Sequence, residues 1–191
     1  MAIKMQSAIP ARASIAAPPA SSRGHSVGRR HWGIAVGGLL LWGAITFAAA
    51  GLGGLGSADA PAIYSNLARP WWAPPTWLFG PAWMVLYALM AVAAAMVWRE
   101  RYRQPVGNAL ALFVVQLVAN ALWSWVFFEW LKGGWALAES VLLLALVAAT
   151  AWQFWRVRPL AGALILPSFV WVAYATALNA VVWKWNPEWL G

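Results

Sequence analysis

Five stretches of this 191-residue chain are each long and apolar enough to cross the hydrocarbon core of a bilayer, and that leaves few folds open. A spanning helix needs about 20 apolar residues. Trp32–Ala50, Thr76–Trp98, Asn108–Phe128, Trp135–Trp155 and Leu160–Trp183 meet that need. Hydrocarbon offers no water to pair backbone N–H and C=O groups, so each run has to be helical. The expectation is an all-α integral membrane protein, a five-transmembrane-helix bundle occupying residues 32–191 as one domain. The chain is 63% hydrophobic and 9% charged, outside the range of soluble domains.

The 17 tryptophans reinforce this reading. Trp32, Trp77 and Trp135 open apolar runs, and Trp98, Trp130, Trp155 and Trp183 close them. An indole has an apolar body and one N–H donor, which suits the headgroup level. Trp83 and Trp171 lie inside their runs, where no interface explains them.

A net charge of +8 would suggest nucleic acid in a soluble protein. Here its distribution points to topology. Lys4, Arg12, Arg23, Arg29 and Arg30 precede the first span; Arg99, Arg101 and Arg103 follow the second; Arg156 and Arg158 follow the fourth. Only Arg69, Lys132 and Lys184 fall on the other side. Ten basic residues against three place the amino terminus in the cytoplasm and the carboxyl terminus outside. The basic side also suits anionic lipid, and no nucleic-acid partner is expected. With no cysteine, disulfides and thiolate metal sites are excluded. The two histidines, His25 and His31, lie at or before the first span, so none can ligate a metal or haem iron within the membrane. No lysine lies mid-span to form a retinal Schiff base. No metal site and no obligatory cofactor are expected.

Residues 1–31 read as a disordered basic tail, with a targeting segment as the alternative; in the first case Trp32–Ala50 acts as an uncleaved signal anchor. The membrane is then a bacterial cell membrane, or an organellar one on the alternative. Residues 51–75 read as a long loop that opens on GLGGLG and carries Tyr64, Trp71 and Trp72. Long loops in compact domains are commonly functional, and three large aromatics make this one a lid.

Polar groups within spans are costly and mark sites or helix contacts. Gln116, Asn120 and Ser124 recur every four residues on one face. Ser168, Trp171, Ala175 and Asn179 share a face of the last span, beside Tyr174. Trp83, Tyr87 and Met90 form a stripe in the second. Glu139, one turn inside the fourth span, is expected to snorkel to the interface near Lys132 or Trp135. Aromatic stripes, an amide-bearing face and an aromatic lid together describe an apolar pocket with a few orienting groups, suited to a flat hydrophobic ligand with Trp83 and Trp171 as opposing walls. Interhelical packing accounts for each of these residues taken alone, and their combination is what points to the pocket.

The run RPWWAPPTWLFGPAWMVLYALM, followed in order by QLVANALWSWVFF and LPSFVWVAYATALN, resembles the TspO/MBR family, the tryptophan-rich sensory and translocator proteins. The resemblance implies a dimeric five-helix protein that binds porphyrins, including haem-like tetrapyrroles, and in some members sterols. It implies ligand contacts at Tyr64, Trp72, Trp83, Tyr87, Asn120, Trp171 and Ala175. If the protein degrades porphyrin, as proposed for some members, Trp83 and Trp171 are the residues implied. The sterol-recognition pattern of animal members is not met, because Tyr174 and Lys184 lie ten residues apart. Three functions follow: a receptor or sensor, a transporter of porphyrins or sterols, and a porphyrin-degrading enzyme. No paired midplane charges favour a transporter, and no acid/base pair favours an enzyme. Small residues at Gly107, Ala111 and Ala119 suit a homodimer through the third span.

The charge asymmetry makes a direct prediction. Reporter fusions at the two termini should give opposite compartment signals; like signals would mean an even number of spans.

Overall fold

The computed structural model describes residues 23–191, with side chains from Val36 onward. Its helices are α1 (Arg23–Gly56), α2 (Ala60–Asn66), α3 (Phe79–Arg99), α4 (Gly107–Ser124), α5 (Gly133–Val157), α6 (Pro159–Trp185) and α7 (Pro187–Leu190). α1, α3, α4, α5 and α6 are long and apolar enough to span a membrane, by length and composition. Their order alternates direction through the bundle, as five spans with short connections require. A 3₁₀ turn at Thr76–Leu78 leads into α3, and a π-helical turn at Trp125–Glu129 ends α4.

Two expected boundaries move. The helix begins at Arg23, so residues 23–31 of the expected tail belong to α1, while residues 1–22 lie outside the described residues. The first span also runs on through GLGGLG to Gly56, so the loop expected to start at Gly51 begins at Ser57. Helix propensity penalises glycine because water competes for its bare backbone. In hydrocarbon that competition is gone, and glycine lets neighbours approach. A Cβ on Gly56 would lie 2.7 Å from the indole of Trp125, whose Nε1 donates to the Leu52 carbonyl at 2.9 Å.

The core is continuous through the lower bundle. Trp42 meets Trp98 and Phe113 edge-on at 6.1 and 5.8 Å, and Phe113 meets Phe154 at 5.5 Å. Trp98 is therefore a packing residue rather than the belt residue its position suggests. So is Trp183, which fills the space above Gly133 and Gly134. Trp77, Trp130, Trp135 and Trp155 are exposed at helix ends, as a belt requires.

α5 and α6 form the tightest pair. At Gly162 an added Cβ would fall 2.7 Å from the backbone N and Cα of Trp155, which cannot move aside. At the basic end Glu100 joins Arg103 (3.3 Å) and Arg158 (3.8 Å), tying the end of α3 to the α5–α6 turn. Glu139 does not snorkel. Its carboxyl oxygens are enclosed by protein with no hydrogen-bond partner, and Lys132 forms no ion pair among the described residues. One turn inside α5, its short side chain packs inward.

Gly162→Ala should destabilise the protein by about 1–3 kcal/mol through overpacking against backbone. Gly43→Ala, where the Cβ meets nothing within 4 Å, should be neutral or stabilising by up to about 1 kcal/mol. Thermal unfolding in detergent reads both, and equal shifts would contradict the α5–α6 contact.

Candidate functional site

Between the outer halves of α1, α3, α4 and α6, under α2, lies a cavity of about 530 Å³. That is within the range of roughly 300–1,000 Å³ usual for small-molecule sites. Each element contributes for a local reason. α1 offers Gly51 and Gly54, where an added Cβ would meet no atom within 4 Å, so the missing side chains become cavity volume. α3 offers Trp83 and Tyr87, spaced one turn apart on one face, and Phe79 and Gly80 at its start. α4 contributes Asn120, Trp123 and Ser124; α6 contributes Trp171 and Ala175. Phe47 and Met84, which also line the cavity, are 46% and 66% exposed, so the cavity is open on the side between α1 and α3.

Trp83 and Trp171 do not face each other across a gap. Their rings meet edge to face, 6.3 Å apart at 81°, and make one corner of the cavity. Trp83 also leans on Tyr87 at 5.6 Å, and Trp171 touches Phe79 and Tyr174. This T-shaped geometry is the favoured one for aromatic quadrupoles, and it leaves ring faces, rather than a slot between rings, for a ligand.

The polar groups of the site are few. The Tyr87 hydroxyl donates to Asn120 Oδ1 at 2.9 Å, which fixes the amide and leaves its Nδ2 without a partner among the described side chains. Trp123 Nε1 donates to Asn179 Oδ1 at 3.2 Å, and Asn179 Nδ2 donates to the Gly133 carbonyl at 3.1 Å. Trp171 Nε1 is buried with no partner among the described residues. A donor kept dry and unpaired costs stability unless something accepts from it. Gln116 and Met90, from the same stripes, lie deeper and bond each other, Gln116 Nε2 to Met90 Sδ at 3.5 Å. Ser168 is likewise buried outside the lining.

The lid is shorter and more ordered than a free loop. Pro61 lies in the first turn of α2, where a proline loses no helix hydrogen bond. Tyr64 on α2 is 4% exposed, lines the cavity, meets Phe79 edge-on at 5.3 Å and donates to the Pro74 carbonyl at 3.3 Å. Burial raises its pKa above the ordinary phenol value, against the lowering influence of Arg69. Asn186 clasps the lid: its Oδ1 accepts from the Ala68 N–H at 2.8 Å, and its Nδ2 donates to the Ala68 carbonyl at 2.9 Å and to Val182 O at 2.7 Å.

Six of the seven expected ligand residues, Tyr64, Trp83, Tyr87, Asn120, Trp171 and Ala175, line one cavity. Trp72 does not. Its ring packs on Tyr174 at 5.7 Å and its carbonyl accepts from the Tyr174 hydroxyl at 2.9 Å, so it braces the lid. Trp71, expected in the lid, is 94% exposed and points away. The α1 wall and Trp123 were missed; the every-third-or-fourth recurrence of small residues at Ala50, Gly53, Gly54 and Ser57 was the available signal.

Five apolar helices, four of them walling a lidded, aromatic-lined cavity, define a multi-pass integral membrane protein. The chain belongs to the TspO/MBR family, whose model matches residues 40–184. It is 37% identical over 130 residues to the translocator protein of Homo sapiens, covering 67% of this chain and 77% of that one. With the tryptophan-rich sensory protein of Cereibacter sphaeroides it shares 42% over 128 residues, 65% of this chain and 79% of the relative. Protein CrtK of Rhodobacter capsulatus is 38% identical over 151 residues, 78% and 94% of the two chains. The family is one of membrane sensors and translocators.

The Tyr87–Asn120 bond gives a prediction. Tyr87→Phe leaves a buried amide oxygen without its donor, which should cost about 1–3 kcal/mol. Tyr64→Phe, removing a longer bond to Pro74, should cost less. Thermal melts in detergent rank the two.

Proposed function

We propose that this protein is a membrane receptor that binds tetrapyrroles of the porphyrin or haem type, and other flat hydrophobic molecules, in the cavity under its lid. The observation that carries the reading is the corner made by Trp83 and Trp171, with Tyr87 beside it, in a cavity whose lining holds no charged side chain. Indole and phenol faces stack on extended π-systems, and Asn120 Nδ2 offers a donor that orients a bound ring. The porphyrin is a ligand here, not a resident cofactor. Binding and sensing need only this cavity. Transport would need an alternating element and degradation an acid/base pair, and the described residues offer neither.

Trp83→Ala or Trp171→Ala should weaken protoporphyrin binding by about tenfold, through lost stacking of roughly 0.5–1.5 kcal/mol and lost burial. Phe at either position should cost less. Trp135 and Trp155, exposed at helix ends, are the controls and should leave affinity unchanged. Quenching of tryptophan fluorescence measures all of these, and equal losses at control and cavity positions would refute the assignment.

We further propose a homodimer formed through the outward face of α4. Gly107, Ala111, Val118 and Leu122 are exposed there. Ala119, expected in the interface, packs inward against the core. Ala111→Leu should weaken the dimer in detergent, as sedimentation would show; an unchanged dimer moves the interface.

A further inference from the structure

The cavity presents no cation to a ligand, yet tetrapyrroles carry ionised carboxylate tails on one edge. Burying such a carboxylate without a counter-charge is prohibitive, so the tails have to leave the cavity. On the outer end of the bundle the described cations are Arg69, Lys132 and Lys184, and Arg69 alone belongs to the lid. Its guanidinium lies 4.5 Å from the centroid of the Tyr64 ring, and Tyr64 is a wall of the cavity. Arg69 is exposed, and among the described residues no carboxylate lies within ion-pair distance of it. Asp59, Glu129 and Glu188, the exposed acids of that end, all leave it unpaired.

A guanidinium stacked on an aromatic ring has one face engaged, and the N–H groups of Arg69 not turned to the Tyr64 hydroxyl remain for another acceptor. Those groups match a carboxylate in a two-pronged hydrogen-bonded pair. We propose that Arg69 is a specificity-determining residue of the site: it receives the carboxylate tail of a planar amphiphile whose ring system lies in the cavity. The inference rests on the ligand reading above and narrows it to a ligand class, apolar rings with an anionic edge. Tyr64 then has two roles, bounding the apolar space and positioning the cation.

The test uses the full-length protein in phosphatidylcholine nanodiscs, titrated with protoporphyrin IX and with its uncharged dimethyl ester. Arg69→Gln should weaken binding of the diacid about three- to fivefold, the size expected of a solvent-accessible ion pair, and leave the ester unchanged. Arg69→Lys should recover part of the loss, and Lys184→Gln should have no effect. Added salt should erode the advantage of the diacid in the wild type. Equal losses for diacid and ester would overturn the proposal, because Arg69 would then only prop Tyr64. No loss for either would also overturn it. Adding phosphatidylglycerol separates a ligand carboxylate from a lipid phosphate: the difference between diacid and ester should persist, and its collapse would assign Arg69 to headgroups. If the wild type binds neither compound, the ligand reading itself fails and takes this inference with it.

Discussion

A helix in hydrocarbon has to keep its backbone hydrogen bonds to itself, and most of this structure follows from that constraint. It makes five runs helical whatever their residues, including a GLGGLG segment that would favour a loop in water. It allows glycine to be used for shape. In one place glycine lets a helix pass close to an indole, as Gly56 does at Trp125; in another it leaves open volume, as Gly51 and Gly54 do at the cavity wall. The π-helical turn sits where protein shelters it, closing α4 against α5 and the end of α1, whereas Pro167 within α6 is exposed.

The hydrophobic effect does little to hold apolar helices together in lipid, so packing and a few polar bonds carry the specificity. Here the bonds bring together residues far apart in sequence. Tyr87 reaches Asn120, Trp123 reaches Asn179, and Asn179 reaches Gly133. These three contacts connect α3 to α4, α4 to α6 and α6 to α5 around the outer half of the bundle. Two of these bonds fix side chains of the cavity wall itself, Tyr87 with Asn120 and Trp123. Its geometry is thus set by the protein's own contacts.

Much of the architecture was legible in the sequence because it is periodic. Helical spacing put Trp83 with Tyr87 and Trp171 with Ala175 on common faces, and those faces do meet. Non-periodic segments were harder. In RPWW the two indoles look equivalent, yet Trp72 turns inward to Tyr174 and Trp71 turns out, a choice made by loop geometry that neighbouring residues do not encode. Trp98 and Trp183 sit at span ends like belt residues but are claimed by partners on other helices. The α1 wall was obscured because glycine signals loops by scales calibrated in water. Helix faces read one at a time suggest opposing tryptophan walls; the edge-to-face corner depends on the α3–α6 crossing, which no single helix encodes.

Asn186 gives the molecule a mechanical connection between its ends. Its amide grips both backbone groups of Ala68, so the lid is fastened 118 residues downstream, almost at the carboxyl terminus. The same side chain is fixed to Val182 on the final turns of α6. The mouth of the cavity and the last residues of the chain therefore move as one piece. Withdrawing the Asn186 amide would leave two backbone groups of the lid to water. How firmly the lid sits over the cavity is thus coupled to how firmly the turn after α6 stays docked.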